Sequence, residues 1–246
     1  MEVGSETNRR WPGVLGFSLG IAFALVAVLA FLKGLAWYWA VICFCGACFG
    51  VVGKRRIMRA GVTRTSDDIV CGYVPWHEAS AYLLNFALPL MGIAGIYAGY
   101  VPGNPVWLRF AGILLILATL LMMYATFRMW HRCSLRFTPS TLTVRVADPK
   151  INPGELTRDE IEAITPKWIA NSVSGVKALQ VEIAYRPEDS ATETNTVMLG
   201  LQLTVEPINL YGALVTWNDG ADTDPTQLLD RIEQLLRGHT AAVAPT

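Results

Sequence analysis

Charge is what this chain withholds. No Asp, Glu, Lys, Arg or His occurs from Trp11 to Leu32, from Gly34 to Gly53, from Ala79 to Leu108 or from Phe110 to Phe127. A surface helix of a soluble protein shows polar residues at every turn, so runs without any point to helices surrounded by apolar material. Other absences narrow the chemistry. The five cysteines leave an odd thiol and argue against a disulfide framework. No glycine-rich phosphate loop, nucleophile elbow or pair of catalytic carboxylates is recognisable, so no enzymatic activity and no cofactor is expected. Nothing in the sequence supports nucleic-acid binding.

What is present is length without charge. A hydrocarbon core of roughly 30 Å needs about 20 helical residues. The four runs predict transmembrane helices near 13–32, 35–53, 80–101 and 107–127, a four-helix membrane domain over residues 1–133. Two hairpins are expected, turned at Lys33-Gly34 and at the breaker-rich Val101-Pro102-Gly103-Asn104-Pro105, with residues 54–79 as the loop between them. Arg9, Arg10, Lys54, Arg55, Arg56, Arg59, Arg64, Arg128, Arg132 and Arg136 fall on one side, and only Lys33 and Arg109 on the other. That bias places the loop and both termini in the cytoplasm of a multi-pass plasma-membrane protein. Trp11, Trp37, Trp39, Trp107 and Trp130, with Tyr38 and Tyr100, sit near the span ends, where amphipathic rings favour the headgroup region. A second span follows the first after two residues, so the first is read as an uncleaved helix rather than a signal peptide.

Composition shifts after Arg132. Residues 1–133 carry 11 Lys and Arg against 5 Asp and Glu, and residues 134–246 carry 9 against 15, so the neutral total hides two opposed halves. The second half is expected to be a cytoplasmic β-rich α+β domain over 134–238, with 239–246 as a tail. Ser134–Thr138 and Thr141–Val146 alternate around Pro139-Ser140 and read as a hairpin. Leu179, Val181, Ile183 and Tyr185 share one strand face, Val197, Leu199, Leu201 and Leu203 alternate again, and residues 187–195 join them as a polar loop. Thr157 and Glu160 have capping-box spacing, predicting a short helix or turn before Ile161. A closing helix is predicted with Asp224 as N-cap, Pro225 first, Gly238 last and an apolar stripe of Leu228, Leu229, Ile232, Leu235 and Leu236.

The segments Leu135–Val144, Glu155–Ile164 and Leu228–Leu236 resemble, in order and apolar pattern, the bacterial pleckstrin-homology-like (PH-like) domains attached to membrane helices. The resemblance covers roughly residues 134–238. It implies a bent sheet or barrel with a C-terminal helix, used for protein or lipid contacts, and it carries over no catalytic residue. The loop at 187–195 and the segment Pro207–Trp217 depart from a compact version and leave strand count open.

Several side-chain groups have candidate roles. Cys45-Gly-Ala-Cys48, beside Cys43, has dithiol spacing, set against the ordinary use of cysteine as a small apolar helix residue. If two antiparallel helices turn near residue 104, His77 comes level with His131 and Cys71 and Cys133 flank them, a donor set suited to tetrahedral zinc. Asp67, Asp68, His77 and Glu78 read as a solvated loop with Glu78 at a helix start. Asn85 and Pro89 predict a kink with an interhelical hydrogen bond. Gly16/Gly20, Gly46/Gly50 and Gly95/Gly99 have the spacing that lets helices approach closely or self-associate. Taken together, the sequence predicts a non-enzymatic membrane scaffold or assembly factor, its net acidic domain favouring protein partners in the membrane or cytoplasm. A small transporter or channel subunit with a regulatory domain is the alternative, with an uncharged membrane interior against it.

Overall fold

A computed structural model of the chain describes residues 11–32, 34, 36–52, 56–148, 152–170, 177–186 and 194–239. The polar loop expected at 187–195 and the tail expected at 239–246 fall almost entirely outside these residues, as do Arg9, Arg10, Lys33, Lys54 and Arg55. Two compact units are present, one formed by 1–56 and 79–126, the other by 57–78 and 127–246.

The first unit is helical. Helix α1 spans Trp11–Leu32 and α2 spans Trp37–Val52, separated by Gly34 at φ +65°. A second helical pair follows. Its first arm runs Ala79–Ala98 and comprises α3 (Ala79–Tyr82), a π-helical turn (Leu83–Ala87) and α4 (Leu88–Ala98); its second arm is α5 (Trp107–Arg132). The π turn precedes Pro89, whose missing N–H and bulky ring disturb the hydrogen bonds of the turn before it. Asn85 Nδ2 donates to Ala81 O at 2.8 Å, a bond within its own helix where an interhelical one was expected.

The expectation of four spans is corrected by these lengths. Among the described residues, two helices are long and apolar enough to cross a membrane, Ala79–Ala98 and Trp107–Arg132. The described apolar stretches of the first pair, Gly20–Leu29 and Trp37–Phe49, are shorter. Even the whole of α2, at 16 residues, rises only about 24 Å. Absence of charge measures composition, whereas crossing a core of roughly 30 Å requires apolar helical length, which α2 lacks. In the second pair, Asn104 Nδ2 donates to Ala98 O (2.9 Å) and to Tyr38 Oη (3.0 Å), tying the turn to α2.

The second unit combines sheets and helices. Strands β1 (Val62–Arg64), β2 (Ile69–Gly72), β3 (Ser134–Phe137), β4 (Thr141–Arg145) and β5 (Gly154–Thr157) form one antiparallel sheet in that order. Strands β6 (Ile161–Ala170), β7 (Lys177–Tyr185) and β8 (Asn195–Leu199) form a second. The segment 54–79, expected to be a loop, thus supplies two strands, and the boundary drawn at residue 133 does not follow the folded unit. The β3–β4 hairpin forms as expected, burying Leu135, Phe137, Leu142, Val144 and Val146. Val181, Ile183, Tyr185, Val197, Leu199 and Leu203 are buried too, while Leu201 lies exposed in the turn after β8. The Thr157/Glu160 box closes the turn into β6, with Thr157 N donating to Glu160 Oε2 at 2.6 Å.

Two helices complete the core. The segment flagged as irregular is α6 (Pro207–Asp219), which buries Leu210, Ala213, Leu214 and Trp217 at helical spacing. Helix α7 (Pro225–Leu236) follows the sequence expectation: Asp224 accepts from Gln227 N at 3.1 Å and the five apolar residues are buried. Past its end Gly238, at φ +75°, lets Gly238 N and His239 N reach back to Leu235 O and Gln234 O.

Candidate binding cleft

The zinc constellation does not assemble. Among the described residues no group of three or more His, Cys, Asp or Glu is placed to hold a metal ion. The reason lies before residue 79, where helical geometry stops. Pro75–His77 is a short 3-10 turn and Cys71 belongs to β2, facing the sheet core opposite Leu135. Burial pushes the Cys71 thiol well above its ordinary pKa. His131 instead stacks its ring 4.3 Å from Phe127 and 4.7 Å from Trp130. Cys133 is buried and donates to Gln202 Oε1 at 3.7 Å. Its thiol is raised by burial, partly opposed by a hydrogen bond involving the Ala147 backbone and by the Arg128 charge. In α2, Cys43, Cys45 and Cys48 are free thiols.

A thiol that is both buried and protonated is unreactive. Cys71 is therefore expected to resist a water-soluble maleimide in the native protein at neutral pH and to react fully after denaturation. Peptide mass spectrometry reads this directly, and native labelling of Cys71 at the rate of an open thiol contradicts its placement.

Of the acidic residues before the third helix, Asp67 is exposed as expected, whereas Asp68 and Glu78 are not solvated. Asp68 is buried, closes the β1–β2 turn by accepting from Thr65 N through its carbonyl (2.9 Å), and pairs with Arg136. Glu78 is buried and accepts from Thr204 Oγ1 at 3.0 Å, while Val74 N donates to the same hydroxyl at 2.9 Å. The neighbouring backbone is tightly laced. Gly61 N donates to Thr204 O (2.7 Å) and Gly72 N to Gly61 O (2.9 Å), so a side chain at Gly61 would meet Gly72 O at 2.6 Å. These carboxylates serve structure.

That lacing holds one wall of an open cleft. Met58 N donates to His77 O at 2.8 Å, fixing Ile57, Met58, Arg59 and Ala60 as one wall. The start of α6 (Glu206, Asn209) and the end of α7 (Leu236, Arg237, His239) form the other, enclosing about 350 Å³. Met58 is 60% exposed there, and the half-buried Ile57 and Ala60 add apolar surface. Glu233 holds the Arg237 guanidinium at 2.9 Å, giving that charge a fixed position. Arg59 and His239 are exposed, and Glu206 is the one acidic residue of the lining. The cleft joins residues far apart in sequence, and no motif spacing signals it.

No family model, curated protein or solved structure matches the chain.

Function must then be argued from the site alone. An apolar centre with a charged, water-accessible fringe is the anatomy of a protein-contact patch rather than of a reaction centre. Arg59 and Arg237 outnumber Glu206 in the lining, although Arg237 is paired with Glu233.

Proposed function

We propose that this protein is a membrane-anchored, non-enzymatic scaffold whose sheet-and-helix unit acts as a PH-like adaptor and holds a protein partner in the Met58 cleft. The cleft is the observation that carries this reading: an exposed methionine, adaptable in shape, stands beside the exposed Arg59 and the Glu233-paired Arg237. The helices Ala79–Ala98 and Trp107–Arg132 supply the anchor, and the apolar side chains of α5 at Leu114, Leu117, Leu120 and Leu121 are exposed. Arg56, Arg59 and Arg64 before this pair, with Arg128, Arg132 and Arg136 at its end, outnumber Arg109 at its turn, so both ends of the pair lie on the cytoplasmic side in this reading.

The test is photo-crosslinking in native membranes from a probe at Asn209, on the opposite wall from Met58. It is expected to trap a discrete protein, and Met58→Glu with Arg59→Glu is expected to lower capture about ten-fold or more, the size of a contact-centre loss. Capture that is absent, or indifferent to both substitutions, overturns the proposal.

A further inference from the structure

One tryptophan of the sheet-and-helix unit is held half out of its core by fixed backbone. Trp76 lies in the 3-10 turn Pro75–His77 and is 49% exposed. Val74 N donates to Thr204 Oγ1 (2.9 Å), His77 N to Val74 O (3.0 Å) and Glu78 N to Pro75 O (3.1 Å), so the turn beneath the ring is tied on both sides.

The ring meets the end of α5. Trp76 and Trp130 pack edge to face with 4.7 Å between centroids, and Phe127 lies 6.3 Å from Trp130 in the same edge-on manner. Phe127 and Trp130 are exposed, so three rings from two separate segments share one open surface. Position along the chain puts Trp130 at a span end, whereas Trp76 joins it only through the fold.

What covers this surface follows from the helix that carries it. Leu120, Leu121, Met122, Met123, Tyr124 and Ala125 are consecutive in α5 and all exposed. At 3.6 residues per turn these six surround the whole helix with apolar and aromatic side chains. A groove on a partner protein would cover one side of such a segment, whereas acyl chains cover every side. Aromatic rings one turn further on then stand where the apolar layer gives way to headgroups.

The distances agree. A second aromatic band marks the start of α5, where Trp107 and Phe110 are exposed and the Arg109 guanidinium lies 4.8 Å over the Tyr100 ring. At 1.5 Å per residue, Phe110 and Phe127 are about 26 Å apart along the axis, and Trp107 and Trp130 about 35 Å. These separations bracket the hydrocarbon thickness of roughly 30 Å, at whose edges amphipathic rings collect.

We infer that Trp76 belongs to the aromatic band at the Trp130 end, so that the turn Pro75–His77 seats the sheet-and-helix unit on the headgroup boundary of the bilayer. This rests on the membrane-anchor part of the reading above, and its rings are not side chains of the Met58 cleft.

The test uses the natural full chain in phosphatidylcholine vesicles that contain a phosphatidylcholine with a diazirine on an upper acyl carbon. Light converts the diazirine to a carbene that inserts into whatever it touches, and peptide mass spectrometry locates the lipid tag. Tags are expected on Trp76 about as often as on Trp107 and Trp130, and Trp217, enclosed in the core, should carry none. The same vesicles treated with a water-soluble diazirine reagent should tag the exposed Arg59 in preference to Trp76. Lipid tags on Trp107 and along Leu120–Ala125 without any on Trp76 overturn the inference and leave the anchor standing, whereas lipid tags at none of these positions overturn both. Trp76 that joins to a protein instead of a lipid also overturns the inference.

Discussion

Trp217→Ala is expected to destabilise the sheet-and-helix unit by about 3–5 kcal/mol, the range for truncating a large buried aromatic. Trp217 is 0% exposed and the largest fully buried side chain. Its Nε1 donates to Thr138 O at 2.7 Å, on the β3–β4 turn where Thr138 Oγ1 also receives Thr141 N at 2.8 Å. Arg158 closes the node from the β5–β6 turn, its Nε donating to Trp217 O at 3.0 Å and its guanidinium lying 4.9 Å over the ring. One side chain therefore joins α6, the first sheet and the turn into the second. Domains of this size have only about 5–15 kcal/mol of net stability, so the alanine variant approaches the unfolding threshold. Trp217→Phe separates the contributions: it keeps most of the apolar volume but leaves Thr138 O without its donor, a cost of about 1–3 kcal/mol. Urea unfolding of the full chain, followed by amide exchange of the strand residues, measures both. A loss below about 1 kcal/mol for the alanine variant contradicts the central place given to this residue.

The parts of this unit legible in the sequence are those whose signals are local. The β3–β4 hairpin announces itself through alternation on both sides of Pro139-Ser140, and α7 through a cap, a proline and a glycine at the right offsets. Helix α6 carries equally local signals, Pro207 at its start and apolar residues at 210, 213, 214 and 217. They were obscured by the preceding alternation, which runs past Leu199 to Leu203 and reads as strand, and by Val215 and Thr216, which favour strands. Strands β1 and β2 were unreadable for a different reason. Three and four residues long, they are specified by pairing with β3, which follows only after the helical pair. The zinc grouping fails for the same reason, because antiparallel helical register does not extend before Ala79, where a strand sets the register of Cys71. The cleft is invisible to motif reading, since it does not depend on spacing along one element.

Spacing alone also misjudges the glycines, and the helical unit shows which ones matter. A Cβ at Gly46 would meet Phe23 at an ordinary 3.6 Å, so that position does not require glycine. Between α4 and α5 the situation differs. A Cβ at Gly112 would lie 2.5 Å from Gly92 O and 2.6 Å from Ile96 N, and one at Gly99 would lie 2.5 Å from Arg109 N. These are backbone atoms that no rotamer change can move aside, so the two helices would have to separate. For a pair that spans a bilayer, as proposed above, the hydrophobic effect does not press the helices together, and close packing carries the association instead. Gly112→Val is therefore expected to cost at least the 1–3 kcal/mol typical of overpacking, and more if the Asn104 contacts to Tyr38 and Ala98 are lost as the turn shifts. Leu114→Ala, on an exposed part of α5, serves as the control and should be near neutral. Detergent titration of the purified full chain, read by amide exchange across residues 92–98, measures the separation. Equal midpoints for Gly112→Val and Leu114→Ala would show that backbone proximity does not hold this pair together, and the pair's role as anchor would have to rest on apolar length alone.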